Sequence, residues 1–539
     1  FWDIQDTVLE DIERIEVIRG PGAALWGVNA VNGVINIITR SAADTQGWQV
    51  TGLGGSEEGI GTARYGGSIG KDVDYRVYAK YFNRGGLFQD DAEVRADSSK
   101  SDWQSGRGGM RMEWTPGEGR DLILMEGEFF KNRYLAEIPV LAEDPPYVQE
   151  TQDTSRAKGG HILGRWTRTY SETSDSVLQL YYDYYDKDID FANAQVNTFD
   201  IDFQHRLSFL DRNELVWGLN YRIIHDRFRN SEEISLDPDE ETLLYYGAFV
   251  QDKIRLADRL SLTLGAKFEH NDFTGWEFQP SVRLLWQAGE RHSFWGAVSR
   301  AARVPSRVEH DGTVTEVLLP DALDDDTATV LVVEGNSDLT AETLIAYEIG
   351  YRFQPAPNFW LDTTGFYNDY KDLIAYRYLE GEPASAHPGA DIIVPLQYDN
   401  GLRGESYGLE MAAYWQATSR WLLQASYTFL ETNLNQDLPD AEDVEEFLIQ
   451  AGNPRNQVSL RSAFNFTPKL EFDLWLRYVD RLVDNDVDDY TSLDARLAYR
   501  PSARWEFSIV GQNLLDPSHA EFSSIEVERS FYVKADWCF

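Results

Sequence analysis

The sequence predicts an all-β fold: a large transmembrane antiparallel β-barrel of about 22 strands. From about residue 47 onward, segments of about ten residues alternate apolar and polar side chains and are separated by turn residues. The chain contains 28 Tyr, 27 Phe and 16 Trp but only 4 Met, which favours β-structure and membrane interfaces over a helical bundle. The longest apolar stretches, such as residues 34–38, are far shorter than the roughly 20 residues of a spanning helix. Any membrane crossing must therefore use strands.

The alternating segments have the period of half-buried strands. In residues 260–268 the even positions are apolar and the odd positions are polar or glycine, and residues 472–478 and 493–499 alternate in the same way. A soluble sheet with a dry core and a membrane barrel with a wet lumen both fit this pattern. A series of about 20 to 23 strands without helices favours a barrel, because closure removes the sheet edges. A soluble propeller is the alternative, but the sequence lacks the repeat of roughly 40 to 50 residues that its blades require.

The connections between these segments are predicted to alternate between short and long. Short turns are expected at residues 117–119, 257–258 and 289–290, and long polar stretches run near residues 86–100, 134–158, 301–340, 376–403 and 432–452. In a membrane barrel the short turns face the periplasm and the long loops face outward. The long loops are acidic, as in residues 321–326 and 437–446, and we expect them to contact a ligand.

Charge and reactive side chains exclude several classes of function. The 49 basic and 90 acidic residues give a formal net charge of -41, which argues against nucleic acid and against an anionic lipid surface as partners. An acidic surface is commonly just solvated, but it could also bind lipopolysaccharide through divalent cations or attract a cationic ligand. The single Cys538 cannot form an internal disulfide, and the eight His show no zinc-ligand spacing. No catalytic Ser/His or Asp/His arrangement stands out, so neither an enzyme nor a bound metal or cofactor is expected.

Residues 12–39 differ from the rest of the chain. They are predicted to form a strand, a glycine-rich turn, a small loop and a second strand, a unit too small to be a domain alone. Its partner is expected upstream of residue 1. The chain opens with Phe1, Trp2 and Asp3 and has no basic segment followed by an apolar core, so we interpret it as a mature or truncated fragment.

Specific motifs resemble one protein family. The run IERIEVIRGP (residues 12–21), with ALWG (24–27) and NGVINIIT (32–39), closely resembles the end of the plug domain in TonB-dependent outer-membrane receptors. Further segments resemble the family's barrel in the family's order: NSDLTAET (336–343), YEIGY (347–351), YGLE (407–410) and GQNLLD (511–516). The resemblance implies the C-terminal part of a plug domain in residues 1–43 and a barrel in residues 44–539. It also implies that the signal peptide, the TonB box and the first half of the plug are missing.

The resemblance implies active import across a bacterial outer membrane. The expected partners are the TonB–ExbB–ExbD complex, acting through the missing N-terminal segment, together with the barrel assembly machinery, outer-membrane lipid and lipopolysaccharide, but no nucleic acid. Ferric siderophores are the default ligand, with cobalamin, haem, nickel complexes and oligosaccharides as alternatives within the family. A passive porin-like channel is the alternative outside it, although the plug segment argues against this function.

The resemblance also suggests site residues in the plug. Family receptors pair plug arginines with barrel glutamates, and Arg14, Arg19, Glu348 and Glu410 occupy the matching positions. Such pairs would hold the plug in register, although solvated lumen charges would explain these residues equally well. The plug turn and apex comprise Gly20, Pro21, Gly22, Trp26, Gly27, Asn29, Asn32 and Gly33. Its glycines allow tight turns and close approach to the barrel wall, whereas Trp26, Asn29 and Asn32 could either contact a ligand or pack the plug.

Two further segments carry predictions. In the C-terminal strand, the alternating residues Phe531, Val533, Trp537 and Phe539 resemble the outer-membrane assembly signal. Residues 299–306 (SRAARVPS) loosely resemble a box of haem receptors, and His310 follows them. A lone loop histidine is more often a solvated side chain, so haem ligation is not favoured.

Overall fold

A computed structural model of the protein describes residues 4–85, 88–89, 103–117, 119–141, 148–189, 192–231, 233–318, 329–379, 392–436, 452–482, 487–522 and 525–539. Within these ranges, 22 strands form a closed antiparallel barrel, as the sequence predicted. The N-terminal part forms a separate hairpin of β1 (Ile12–Arg19) and β2 (Gly33–Thr39), joined through the one-turn helix α1 (Ala23–Trp26). Among the described residues, no helix is long and apolar enough to cross a membrane.

The barrel is built from hairpins that follow one another along the chain. Its strands are β3 (Gly47–Gly55), β4 (Glu58–Ile69), β5 (Val73–Arg84), β7 (Trp103–Trp114), β8 (Asp121–Leu141), β9 (Val148–Ser171), β10 (Ser174–Ile189), β11 (Ala192–Phe209), β12 (Asn213–Arg229), β14 (Glu240–Ala257), β15 (Leu260–Asn271), β16 (Gly275–Gln287), β17 (His292–Arg303), β20 (Glu342–Ala356), β21 (Phe359–Tyr378), β22 (Ile392–Thr418), β23 (Trp421–Gln436), β24 (Asn456–Thr467), β25 (Leu470–Val479), β26 (Tyr490–Ser502), β27 (Trp505–Gln512) and β30 (Ser530–Cys538). The last strand pairs with both β27 and β3, which closes the barrel and leaves no free sheet edge.

Each barrel strand has an apolar outer face and a polar inner face. On β8, Met125 and Phe129 are exposed on the outside, whereas Glu126 and Glu128 point inward among arginines. The predicted short turns at residues 117–119, 257–258 and 289–290 lie where β7, β14 and β16 end, although Glu118 is outside the described residues. Because short turns face the periplasm in such barrels, the opposite end faces outward.

Several predicted long loops are shorter than expected, because the strands continue beyond the barrel wall. The prediction for residues 134–158 was wrong in this respect, since β8 extends to Leu141 and β9 begins at Val148. Likewise, β21 reaches Tyr378 and β22 begins at Ile392. Paired strands satisfy their backbone groups wherever they lie, so polar composition alone does not mark a loop. The acidic segments 321–326 and 437–446, and most of residues 86–100, lie outside the described residues.

The predicted loop of residues 301–340 instead contains the helix α2 (Arg307–Asp311) and two strands. Small strands of the outer end are β6 (Phe88–Gln89), β13 (Ile234–Leu236), β18 (Gly312–Leu318), β19 (Thr329–Glu334), β28 (Ser518–Ala520) and β29 (Ile525–Glu528). Strand β19 pairs with β18 and, in parallel, with β22. Strand β19 is covered on both faces, because four consecutive side chains are buried: Val330, Leu331, Val332 and Val333. A continuous apolar run is typical of such a strand, so residues 330–333 carried a signal for β19 in the sequence.

Candidate functional site

Residues 4–46, here named the lumen segment, contact barrel strands on opposite sides of the closed barrel and therefore lie inside it. Helix α1 approaches β14 to β17, whereas Asp11 contacts β4 and β5. The segment ends in a short 3-10 turn at Ala43–Thr45, and β3 begins at Gly47. The division of the chain into residues 1–43 and 44–539 stays a prediction, although it coincides with this turn.

The most buried contact of the lumen segment is an Arg–Asp–Arg cluster. The Asp11 carboxylate contacts the guanidinium of Arg64, and its other oxygen lies 3.5 Å from Nε of Arg76. The three side chains are only 3%, 9% and 4% exposed, respectively. Charges removed from water to this degree are stable only when paired, so Asp11 fixes this end of the segment against the barrel.

Two neighbouring carboxylates repeat this arrangement. Nζ of Lys80 lies 2.7 Å from Asp6, which also faces Arg107 at 3.4 Å, and Nζ of Lys534 lies 2.8 Å from Glu10. The polarity is opposite to that predicted from the sequence, which expected arginines on the lumen segment and glutamates on the barrel. These pairs were not predicted from the sequence. The available signal was the set of inward-facing cations Arg64 on β4 and Arg76 and Lys80 on β5, which need partners inside a partly dry lumen.

One of the predicted pairs is present at the other end of the hairpin. Nη1 of Arg19 lies 2.7 Å from Oε2 of Glu410, with the arginine 52% exposed. Glu348 is instead 3.9 Å from Arg283 on β16, and it contacts the lumen segment through Gly20, where a Cβ would lie 2.8 Å from Oε1 of Glu348.

The predicted pairing of Arg14 with a barrel glutamate is wrong. Its guanidinium contacts Glu13 at 3.1 Å and Glu16 at 2.7 Å, both on β1 itself. The side chain is half exposed, so local carboxylates and water suffice and no barrel partner is needed.

Because Arg19 is half exposed, its pair with Glu410 should contribute little to stability. We expect Arg19→Gln to lower the free energy of unfolding by less than about 1 kcal/mol, since solvent screens such pairs. A double-mutant cycle with Glu410→Gln, followed by thermal unfolding, measures the coupling free energy. A coupling well above that value would show that the pair is desolvated in the membrane-embedded receptor.

The apex of the lumen segment is hydrogen-bonded to the barrel through its backbone. The Val28 amide donates to Oε2 of Glu269 at 2.9 Å, and the Asn29 amide donates to the Ala302 carbonyl at 2.8 Å. The Asn29 side chain in turn accepts from the Val304 amide at 2.9 Å. Asn29 adopts a φ of 72°, a conformation that asparagine tolerates better than most residues. These bonds place Asn29 in a packing and positioning role at the outer end of β17.

The remaining predicted apex residues shape the turn and line two cavities. The amide of Gly20 donates to the carbonyl of Asn32, and the amide of Gly22 donates to the carbonyl of Ala30. Gly33 begins β2.

Pro21 and Asn32 line a cavity of about 860 Å³ that runs beside β20 to β23, together with Arg19, Glu348 and Glu410. Trp26 is half exposed and lines a second cavity of about 590 Å³ beside β5 to β10. The contribution of these residues to ligand binding stays a prediction.

The predicted C-terminal signal residues lie on the outer face of the strand that closes the barrel. Phe531, Val533 and Phe539 are each at least half exposed, and the Trp537 and Phe539 rings stack at 4.0 Å. The backbone of Phe539 exchanges two hydrogen bonds with Trp48 at the start of β3. This arrangement explains why an aromatic residue fits at the seam, and the role of these residues in assembly stays a prediction.

Helix α2 is held against the outer end of the barrel by ion pairs. Its N-cap Ser306 and Glu309 form a capping box, and Glu309 lies 2.7 Å from Arg303. His310, expected to be a solvated loop residue, is half-buried and lies 2.6 Å from Asp311. Its ring packs on Phe273 at 4.5 Å. The histidine is therefore part of the loop structure.

We expect the docking of α2 to weaken in acid. Burial alone would raise the pKa of Glu309, but hydrogen bonds from Arg303 and Ser306 outweigh it and hold that pKa below its usual value of about 4.3. A lowered pKa means that the carboxylate stabilises the docked helix above that pH and loses this effect as the pH falls through the lowered value. Hydrogen exchange of the amides of residues 306–311, corrected for intrinsic rates, should therefore rise at pH 3. In Glu309→Gln the protection should already be low at pH 7, and unchanged protection there would contradict this explanation.

Comparison with known proteins decides the family. The family model described as TonB dependent receptor-like, beta-barrel matches residues 59–514. The chain belongs to the TonB-dependent receptor family. The receptor is accordingly a protein of the bacterial outer membrane that crosses it with strands.

The receptor is similar to several known proteins. It is 22% identical to the iron-regulated outer membrane virulence protein of Vibrio cholerae, over 98% of this chain and 80% of the relative. It is 23% identical to the probable TonB-dependent siderophore receptor PirA of Acinetobacter baumannii, over 94% of this chain and 74% of the relative. The crystal structure of the latter organism's PirA has a TM-score of 0.79 at 17% identity, covering 98% of this chain and 85% of that chain. A ferric enterobactin receptor variant from Pseudomonas aeruginosa, in complex with enterobactin, has a TM-score of 0.80 at 17% identity, covering 98% and 86%.

Proposed function

We propose that the receptor imports a ferric siderophore, with energy supplied by the TonB–ExbB–ExbD complex. The observation that carries the proposal is similarity over nearly the whole chain to proteins named as iron-regulated or siderophore receptors. The ligand binds at the outer end, and the lumen segment, acting as part of a plug, moves to let it pass.

The contacts of the lumen segment support gated transport over passive diffusion. The segment is attached at Asp11 by buried ion pairs, at Asn29 by backbone hydrogen bonds and at Arg19 by a half-exposed pair. In a passive channel, a lumen segment fixed in this way would only block diffusion. An energised receptor requires such a segment, because the lumen must stay closed until the segment is pulled. The exposed attachment at Arg19 should release most easily, because water can replace its partner.

Ferric chelate uptake tests the proposal. Cells that lack their own siderophore receptors and express the full-length receptor should accumulate radiolabelled iron from at least one ferric catecholate or hydroxamate. Accumulation should stop when TonB is inactive, while binding to the cell surface persists. Uptake that continues without TonB would support the porin-like alternative instead.

Cobalamin is the alternative ligand that a specific similarity favours. A segment of 47 residues, 9% of this chain, is 51% identical to the vitamin B12 transporter of Vibrio vulnificus. A match to so small a part of the chain does not by itself assign the ligand. Radiolabelled cobalamin should therefore be supplied in the same cells. Uptake of cobalamin in the absence of any ferric chelate uptake would overturn the siderophore proposal.

A further inference from the structure

A basic cluster lies on the outward face of the hairpin formed by β8 and β9. Lys131 is the cross-strand neighbour of Lys158, and Arg133 is the neighbour of Arg156. All four side chains are exposed. Cross-strand neighbours lie about 5 Å apart and the two pairs are separated by about 7 Å along the strands, so four positive charges share a small area. Like charges in such pairs destabilise a sheet unless a group of opposite sign binds near them.

The cluster lies at the outer edge of the apolar surface that faces lipid. Phe129 precedes it on β8 and Ile162 follows it on β9, and these side chains are 70% and 63% exposed. Strand β8 begins at the short-turn end with Asp121, and Lys131 follows ten residues later. The rise per residue and the usual strand tilt place Lys131 about 25 Å above that end, which is the height of the apolar band of such barrels. The four cations therefore lie at the level of the outer-leaflet headgroups.

Protein carboxylates neutralise this cluster only in part. Lys158 has a partner, Asp186 at 3.2 Å, whereas the other three cations have none within the ranges that the structure describes. Asp188 is the neighbour of Arg156 on β10, but it accepts a hydrogen bond from Asn193 at 3.1 Å. Four cations and two aspartates leave a local charge of +2 in a chain whose net charge is -41. The cluster is thus an exception to the acidic character of the receptor.

We propose that Lys131, Arg133, Arg156 and Lys158 bind the phosphate groups of lipopolysaccharide in the outer leaflet. Arginine presents several donors in a planar fork that matches phosphate, and lysine adds point charges beside it. The acyl chains of the same molecule cover Phe129 and Ile162. A soluble anion would meet only the charges, whereas a phosphorylated lipid meets both the charges and the adjoining apolar surface. The site fixes a lipid at one side of the barrel and lies apart from the lumen.

Native mass spectrometry of the full-length receptor tests the site. The receptor is purified in mild detergent with EDTA present, so that acidic side chains cannot bind phosphate through divalent cations. The variant Lys131→Gln/Arg133→Gln/Arg156→Gln/Lys158→Gln should carry at least about tenfold less lipopolysaccharide than the wild type. Equal lipid occupancy in both proteins would overturn the proposal.

Thermal unfolding separates loss of binding from loss of folding. Without lipid, the quadruple variant should be at least as stable as the wild type, because four crowded cations are gone. Added lipopolysaccharide should raise the Tm of the wild type and not that of the variant. An equal rise in both proteins would overturn the proposal.

Two controls define the ligand and the position. Arg227→Gln removes a cation from the same row on β12, but Arg227 is already paired with Glu240 at 2.7 Å, so lipid occupancy should not change. Dephosphorylated lipopolysaccharide and inorganic phosphate alone should each leave the wild-type Tm unchanged. A rise with inorganic phosphate equal to that with the lipid would assign the site to free anions and overturn the proposal.

Discussion

Asp11→Ala should detach the N-terminal end of the lumen segment from the barrel wall. The substitution leaves Arg64 and Arg76 buried without the carboxylate that both contact. Removing one partner of a buried charge cluster typically destabilises a protein by about 3 to 5 kcal/mol. Because the barrel strands keep their own hydrogen bonds, the effect should fall on the seating of the lumen segment rather than on the barrel.

Two measurements detect this detachment. Receptors with Asp11→Ala should show large conductance events in planar bilayers, and cells expressing them should become sensitive to antibiotics too large for ordinary porins. The electrophoretic mobility of the folded barrel should remain that of the wild type.

A matched control lies in β1, which begins directly after Asp11. Arg14→Ala also removes a charge from the lumen segment, but Arg14 is half exposed and contacts only neighbours on β1 among the described residues. It should leave conductance and antibiotic sensitivity unchanged. Equal effects of the two variants would mean that burial does not determine which charges seat the segment.

Gly27→Ala should displace the apex of the lumen segment. Gly27 adopts a φ of 88°, and an added Cβ would lie 2.5 Å from Oε2 of Glu269 and 2.7 Å from Nζ of Lys267. Glu269 cannot simply move away, because it also accepts hydrogen bonds from Val28 and Asn220. Backbone strain of about 1 to 2 kcal/mol and the disturbed buried pair together should destabilise the docked apex by about 3 kcal/mol or more.

The expected result is rapid proteolysis of residues 20–32 and a large loss of uptake, measured on receptors in outer membranes. Gly70→Ala is the control, since Gly70 has a φ of 68° in the turn between β4 and β5 but has no atom within 4 Å of an added Cβ. This variant should show only the backbone strain of about 1 to 2 kcal/mol and keep full uptake. If both variants behave alike, close approach to Glu269 and Lys267 does not constrain Gly27.

The sequence by itself determined the closed barrel. The alternation of apolar and polar residues in segments such as 260–268 follows directly from a wall with lipid on one side and water on the other, so each strand carries the signal locally. The C-terminal strand was recognisable for the same reason, whereas the hairpin of residues 12–39 was recognisable from its glycine-rich turn between two strand-like segments. The pair of Arg19 and Glu410 required motif resemblance as well, because 391 positions separate the two residues.

The tertiary structure decided which charges meet. Asp6, Glu10 and Asp11 look like ordinary acidic residues among 90, and nothing near them in the chain indicates that they face cations on β4, β5, β7 and β30. Arg14 and Arg19 lie in the same motif but have different partners. Arg14 contacts water and carboxylates of its own strand, whereas Arg19 contacts Glu410 on the barrel. Which side chains are removed from water, and therefore which ion pairs hold the segment, depends on how the hairpin lies across the lumen. The period of apolar and polar residues indicates the environment of a strand, but the ion-pair partners of its charged side chains are set only in the assembled barrel.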